Sequence, residues 1–244
     1  MQIIKGKQLG KPFRGIIYGL SGAGKSTLAN TAPKAIFLNC EDGLNQIDCH
    51  KTPLIKSIDD LKNYLAWLLK EKHGYETVVL DTADAMDLVI SEEICRTANK
   101  KSLGDFGYGA GYDLLVRTWN SLLTSFDSLH AKGINTIVTA HPVIMSFQDP
   151  TGESYDKFTL KVNKKVAGTL IARSDFCYFL DYEKVIKKNA QDKGKAVATG
   201  DRILHTKCKL SFDAKDRYSM PEKIIVNDKF NLSIFSELIK QERK

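Results

Sequence analysis

Short apolar runs alternate along the chain with segments whose apolar residues recur at helical spacing, the rhythm of a sheet covered by helices. Phe13-Arg14-Gly15-Ile16-Ile17-Tyr18 reads as a first strand and Lys34-Ala35-Ile36-Phe37-Leu38-Asn39 as a second. From Asp59, the positions Leu61, Tyr64, Leu65, Leu68 and Leu69 share one helical face, with Gly74 placed to end the helix. Thr77 to Leu80 is a run suited to a fully buried third strand, with Asp81 at its end. Helices are expected over about 83–97 and 112–131, the second closed by Gly133, with a glycine-rich loop between them; Ile134 to Ala140 is the fourth strand. Segments 146–165 and 187–201 read as long exposed loops, 175–182 and 202–210 as late strands extending the sheet, and 233–242 as a terminal helix. No repeat, low-complexity tract or linker divides the chain. The expectation is one α/β domain over 1–244, with a mostly parallel central sheet and helices on both faces: a core over about 13–182, then C-terminal strands and a terminal helix over 183–244.

Composition narrows the class. The 244 residues are 43% hydrophobic and 27% charged, enough to bury a core and unlike a disordered chain or a disulfide scaffold. No apolar run reaches about 18 residues, and Met1-Gln2-Ile3-Ile4-Lys5 lacks the apolar stretch of a secretion signal, so a cytoplasmic protein with no membrane partner is expected. The five cysteines, at 40, 49, 95, 177 and 208, never fall in a Cys-x-x-Cys spacing, which suggests free thiols. Net charge is +7, and it is unevenly spread: residues 1–150 hold 16 charges of each sign, and the remainder 20 basic against 13 acidic. A polyanion partner for the C-terminal part fits this asymmetry, and so does a merely solvated basic surface.

The chemistry is concentrated after the first strand. Gly19-Leu20-Ser21-Gly22-Ala23-Gly24-Lys25-Ser26 satisfies G-x-x-x-x-G-K-[ST] between a strand and a helix, the context this motif requires. Such a loop turns consecutive backbone N–H groups onto a phosphate at the positive end of a helix. Lys25 is placed to reach the β and γ phosphates, and the Ser26 hydroxyl to ligate Mg²⁺. Asp81 supplies the carboxylate that holds the metal at the carboxyl end of a parallel strand. Hydrolysis also needs a group that orients water. The residue after Asp81 is Thr82 rather than glutamate, so the role is assigned to Glu41, which with Asp42 ends the second strand. His141, just past the fourth strand, lies at the same edge and is placed to donate to the γ-phosphate, with a plain turn histidine before Pro142 as the competing reading.

Taken together, Gly19 to Thr27, Phe37-Leu38-Asn39-Cys40-Glu41-Asp42-Gly43-Leu44, Val78 to Thr82 and Ile137-Val138-Thr139-Ala140-His141 form an ordered series that resembles the RecA-like P-loop ATPases. The similarity is greatest to the phage-encoded RecA-like single-strand annealing ATPases of recombination. RecA-like proteins carry the catalytic glutamate just after the strand of the second segment, where Glu41 stands; His141 stands where RecA itself has glutamine. The resemblance implies a RecA-like P-loop NTPase core that binds ATP and Mg²⁺, hydrolyses ATP, and works on single-stranded DNA as a homo-oligomeric ring or filament, with a single-strand binding protein as a further partner. In a phage-encoded protein the location is the bacterial host cytoplasm. The resemblance also places two DNA-facing loops. The first, about 99–111, offers Phe106 and Tyr108 for stacking on bases, and the second, about 146–165, offers Phe147, Lys157, Phe158, Lys161, Lys164 and Lys165. For each aromatic the competing reading is local packing, and for each lysine a solvated face. Lys215-Asp216-Arg217 has the K-x-R spacing that several oligomeric relatives project to the neighbour's γ-phosphate. Two other readings stay open: a P-loop small-molecule kinase or GTPase, and a nucleotide-dependent assembly scaffold. Asn163-Lys164-Lys165-Val166 lacks the aspartate of the guanine-reading N-K-x-D motif, which weakens the GTPase reading.

Overall fold

The computed structural model describes residues 11–188, 194–226 and Leu232. In chain order the elements are β1 (Arg14–Gly19), α1 (Lys25–Ala29), β2 (Ala35–Asn39), β3 (His50–Lys51), α2 (Ile58–Lys70), β4 (Thr77–Asp81) and α3 (Ala83–Thr97). Two 3₁₀ turns, Leu103–Asp105 and Gly107–Gly109, lead into α4 (Ala110–Ala131). Then come β5 (Asn135–Ala140), β6 (Pro142–Phe147), β7 (Tyr155–Leu160), α5 (Lys164–Arg173), β8 (Phe176–Lys188), β9 (Gly194–His205), β10 (Lys215–Asp216) and β11 (Lys223–Val226).

The main sheet runs β11-β9-β8-β1-β5-β4-β2-β3, with β10 paired to β8. Strands β1, β2, β3, β4, β5 and β8 are mutually parallel, and β9, β10 and β11 join antiparallel. β5 inserts between β1 and β4, so the phosphate-loop strand and the Asp81 strand are not neighbours. This mostly parallel sheet with helices on both faces is the expected P-loop NTPase architecture.

The apolar runs of the parallel strands follow from burial on both faces. Successive side chains alternate between two cores. Ile16, Tyr18, Leu38, Val78, Leu80, Val138 and Phe179 join one core with α2, α3, α4 and α5. Ile17, Phe37, Val79, Ile137, Tyr178 and Leu180 join the other, which holds Leu28 and Ala29 of α1 together with Leu44, Met220 and Leu232. The helices are therefore unequally shared: among the described residues the second face carries only the short α1.

Helix boundaries have local causes. Ser57 caps α2, its hydroxyl accepting from the Asp60 N–H at 3.0 Å. The helix stops at Lys70, before Gly74, because His73 Nε2 donates to the Leu68 carbonyl at 2.9 Å and folds the chain back over Trp67. Gly133 does close α4, adopting φ +88°, a conformation that favours glycine. Two expected loops are strands instead. Half of 146–165 belongs to the β6–β7 ribbon and the start of α5; its polar residues read as loop because, of the ribbon, only Thr159 and Leu160 at its end are buried. Segment 187–201 contributes Lys187 and Lys188 of β8 and the first part of β9, whose backbone groups pair with each other despite a Lys- and Gly-rich sequence. The late strands appear as β8 and β9, and the five cysteines are free. The expected helix over 233–242 lies outside the described residues.

Trp119 is the largest fully buried side chain, and its indole N–H donates to Asp87 Oδ1 at 2.7 Å, joining α4 to α3. Replacing it by alanine removes a buried ring and one hydrogen bond to the half-buried Asp87 carboxylate. Trp119→Ala should lower the unfolding free energy by about 3–5 kcal/mol in urea denaturation, whereas Leu88→Ala, at a position 59% exposed, should change it by less than about 0.5 kcal/mol.

Candidate active site

Because the core strands are parallel, the turns after β1, β2, β4 and β5 open at one edge of the sheet, where ligands bind in such folds. The turn after β1 is the phosphate loop. Gly22 and Gly24 take φ +77° and +92°, which a side-chain-bearing residue adopts only with strain, and they curl the loop into α1. Leu20, Ser21, Gly22 and Thr27 are accessible, while Ala23 packs into the core beneath the loop.

Lys25 is 6% exposed, and its ammonium donates to the carbonyls of Gly19 at 3.0 Å and Leu20 at 3.2 Å. Burial lowers its pKa, and the charges of Glu41, Asp81 and Asp84 oppose that shift. Asp81 is fully buried; the Ser26 hydroxyl lies 3.0 Å from both of its carboxylate oxygens, and the Thr139 hydroxyl of β5 donates to Oδ1. Burial raises the Asp81 pKa, and the two hydroxyls, Lys25 and His141 offset only part of the rise. A hydroxyl, a buried carboxylate and a buried ammonium at one loop suit a magnesium-bound polyphosphate, since Mg²⁺ takes hard oxygen ligands.

Glu41, beyond β2, reaches the same edge, where its Oε2 accepts from the Thr82 hydroxyl at 3.1 Å. Thr82 fills the place where a glutamate might have stood, and it also caps α3. His141 follows β5 and is held by Asp84: its backbone N–H donates to Oδ1 and its ring Nδ1 lies 2.9 Å from Oδ2. Burial raises the Asp84 pKa, but the hydrogen bonds from His141 outweigh it and leave the carboxyl below its ordinary value. An ionised carboxylate only accepts, so Nδ1 carries the proton and Nε2 is left for another partner. Ligand atoms of Glu41, Asp84 and His141 all lie within 4.8 Å of one another.

The structure thus brings Lys25, Ser26, Asp81, Glu41 and His141 to one edge. It adds three residues that sequence reasoning missed. Thr139 had a signal, a polar residue at the carboxyl end of a strand, after Ile137 and Val138, and Asp84 had one in its first-turn position on α3. Arg202 had none: sheet pairing alone brings it against Gly24. Lys215, on β10, and Arg217, just after it, lie elsewhere, beside the amino end of β8. That is four β1 residues from Gly19, roughly 13 Å at 3.3 Å per residue. Lys215 donates to the carbonyls of Ile171 and Ala172, and Arg217 pairs with Asp175 at 3.1 Å.

The residues assigned to DNA also separate. Tyr108 is fully exposed and Phe106 packs beside Gly111. Phe147 is 41% exposed, rests against Tyr155 and carries Lys157 over its ring; Lys157 pairs with Asp213 at 2.7 Å. Phe158 stacks on Phe179, as the packing alternative had it. Lys161, Lys164 and Lys165 are exposed, with Lys165 3.0 Å from Asp113.

Fold and site define an ATPase-type P-loop domain. A family model described as AAA domain matches residues 11–218, and the chain belongs to that family. Among curated proteins, the SPbeta prophage-derived uncharacterized protein YorG of Bacillus subtilis (strain 168) is 26% identical over 186 residues, covering 71% of this chain and 54% of YorG. The chain therefore spans about half the length of that relative. Among solved structures, the RadB recombinase aligns with TM-score 0.48 at 14% identity, covering 91% of this chain and 88% of its own. The flagellar accessory protein FlaH from Methanocaldococcus jannaschii aligns with TM-score 0.45 at 12% identity, covering 92% and 88%. No helix among the described residues is long and apolar enough to cross a membrane.

The Asp84–His141 pair has a pH signature. Because the native carboxyl titrates below its unfolded value, its contribution is fully present above the unfolded pKa and is lost as pH falls through the native one. Asp84→Asn should therefore unfold more easily than the wild type near pH 7. The gap should close on acidification below about pH 4, read by thermal melts across that range; a constant gap would contradict this account.

Proposed function

We propose that the protein is a magnesium-dependent ATPase that binds single-stranded DNA and promotes annealing in recombination, working as a homo-oligomer. The observation that carries the ATPase reading is the meeting of Lys25, Ser26–Asp81 and Glu41 at one sheet edge. The phosphate-loop amides and Lys25 hold the phosphate chain and take up charge that develops on it. Ser26 and Asp81 would hold Mg²⁺, which when bound supplies charge neutralisation on the phosphate oxygens. Glu41, fixed by Thr82, orients a water and accepts its proton as the water oxygen bonds to the γ-phosphorus and the bond to the β–γ bridging oxygen breaks. His141, its tautomer set by Asp84, offers Nε2–γ-phosphate contact when protonated there, or a water-bridged one when not.

What supports the DNA reading is where the sensing edge leads. The β6–β7 ribbon starts at Pro142, immediately after His141, so a change at the nucleotide is one residue from an exposed ribbon. At the ribbon's end, Lys164 and Lys165 open α5, at the positive end of a helix dipole, with Lys161 adjacent. Basic side chains there raise a local positive potential that suits a polyanion, and the C-terminal charge excess points the same way. The prophage origin of YorG agrees with a phage recombination role, within the bacterial host cytoplasm. Lys215 and Arg217, away from their own phosphate loop, are the cations proposed to reach a neighbour's.

The activity test is direct. Lys25→Ala and Asp81→Ala should abolish ATP hydrolysis, and Glu41→Gln should keep nucleotide binding while slowing turnover on the order of a hundredfold or more. Mixing Lys25→Ala with Arg217→Ala should restore part of the activity if the site is completed across an interface; an inactive mixture of folded, co-assembled proteins would reject that arrangement. For DNA, neutralising Lys161, Lys164 and Lys165 together should weaken single-strand binding and flatten its salt dependence by about 0.7 per lost contact, with ATP binding retained. Unchanged DNA affinity and slope would favour a kinase or scaffold.

A further inference from the structure

Arg202 lies on the phosphate loop of its own chain. A Cβ built on Gly24 would sit 2.5 Å from the Arg202 Nη1, so the guanidinium lies directly against the loop at this glycine. The approach is built into the sheet. Arg202 of β9 is the direct antiparallel partner of Tyr182 of β8, and the register shifts just beyond this pair. Strand alternation puts both side chains on the face of Leu180 and Leu204, the face on which α1 packs. β8 runs alongside β1 with Leu180 opposite Gly19, so Tyr182, two residues on, overhangs the loop and donates its hydroxyl to the Gly22 carbonyl at 3.1 Å. Tyr182 and Arg202 thus meet the loop at Gly22 and Gly24, the turn that would cradle a bound phosphate.

The charge makes the placement informative. The loop already concentrates positive potential through its amides, the start of α1 and the buried Lys25. A guanidinium at that spot adds a further positive charge on the side of the loop where a phosphate would bind. Guanidinium also matches phosphate oxygens with paired, charge-assisted hydrogen bonds.

We propose that Arg202 is an intramolecular phosphate-binding residue, which contacts the polyphosphate chain of a nucleoside triphosphate held by the loop and so gives each subunit a second cation without help from a neighbour. This rests on the nucleotide-binding reading above. It is independent of Lys215 and Arg217, which stand at the other edge of the sheet.

The test compares full-length wild type, Arg202→Ala, Arg202→Gln, Arg202→Lys and Lys25→Ala. ATP affinity is measured by calorimetry with Mg²⁺ present, and tripolyphosphate competition is read against a bound fluorescent ATP analogue. Losing a charge-assisted contact should weaken ATP binding by about 10- to 100-fold in the alanine and glutamine variants. Lysine should recover part of it, tripolyphosphate should weaken in parallel, and the melting temperatures of the ligand-free variants should match the wild type. Wild-type ATP affinity in both the alanine and glutamine variants, with Lys25→Ala defective, overturns the role of Arg202 and leaves the phosphate site standing. A loss for ATP without a loss for tripolyphosphate also overturns it, because Arg202 would then act on the nucleoside. Unchanged ATP affinity in Lys25→Ala itself overturns the phosphate-site reading, and this inference with it.

Discussion

The buried carboxylate of Asp81 is the constraint on which the site depends. A charge taken wholly out of water is costly unless hydrogen bonds replace its hydration, and here they come from two different elements, the Ser26 hydroxyl of α1 and the Thr139 hydroxyl of β5. Satisfying this one group therefore fixes the start of α1 against the ends of two strands. The phosphate loop has only a five-residue helix behind it, too short to hold its own geometry. Its position comes from this anchor, from the apolar contacts of Leu28 and Ala29, and from Tyr182 reaching in from the neighbouring strand β8.

A second consequence is that polar groups around the loop are coupled in pairs. Asp81 is held by hydroxyls, Glu41 by Thr82, and His141 by Asp84. Each pairing restricts a side chain that would otherwise sample several rotamers, and restricted side chains lose less entropy when a substrate is bound. The pairs also cross elements. Thr82 and Asp84 both sit in the first turn of α3, directly after Asp81, so one short segment orients both the glutamate from β2 and the histidine from β5.

The sheet then connects this site to two outer surfaces. On one side His141 passes directly into the β6–β7 ribbon and the lysines at the start of α5. On the other, β8 and β9 extend past the parallel core as an antiparallel pair, with Tyr182 and Arg202 at its base against the loop. Both are continuous backbone, so a shift at the phosphate loop meets packed strands and not a slack linker.

Much of this was legible in the chain. The parallel strands were visible because burial on both faces demands unbroken apolar runs, and α3 was found at its observed limits, 83–97. The phosphate loop was visible because its chemistry is local: eight consecutive residues form the cradle. Asp81, Glu41 and His141 could be placed at one edge because parallel strands share a direction. The ribbon over 142–160 and the β8–β9 extension were not legible, since their pairing partners, not their composition, decide that they are strands. Nor was Arg202, whose role follows from lying opposite Tyr182 in a sheet whose order places β8 next to β1. Local sequence determined every element whose stability or chemistry is encoded in adjacent residues. Only the tertiary structure decided which distant side chains share the phosphate loop, because hydrogen-bond register between strands far apart in sequence is set by the packing of the whole sheet.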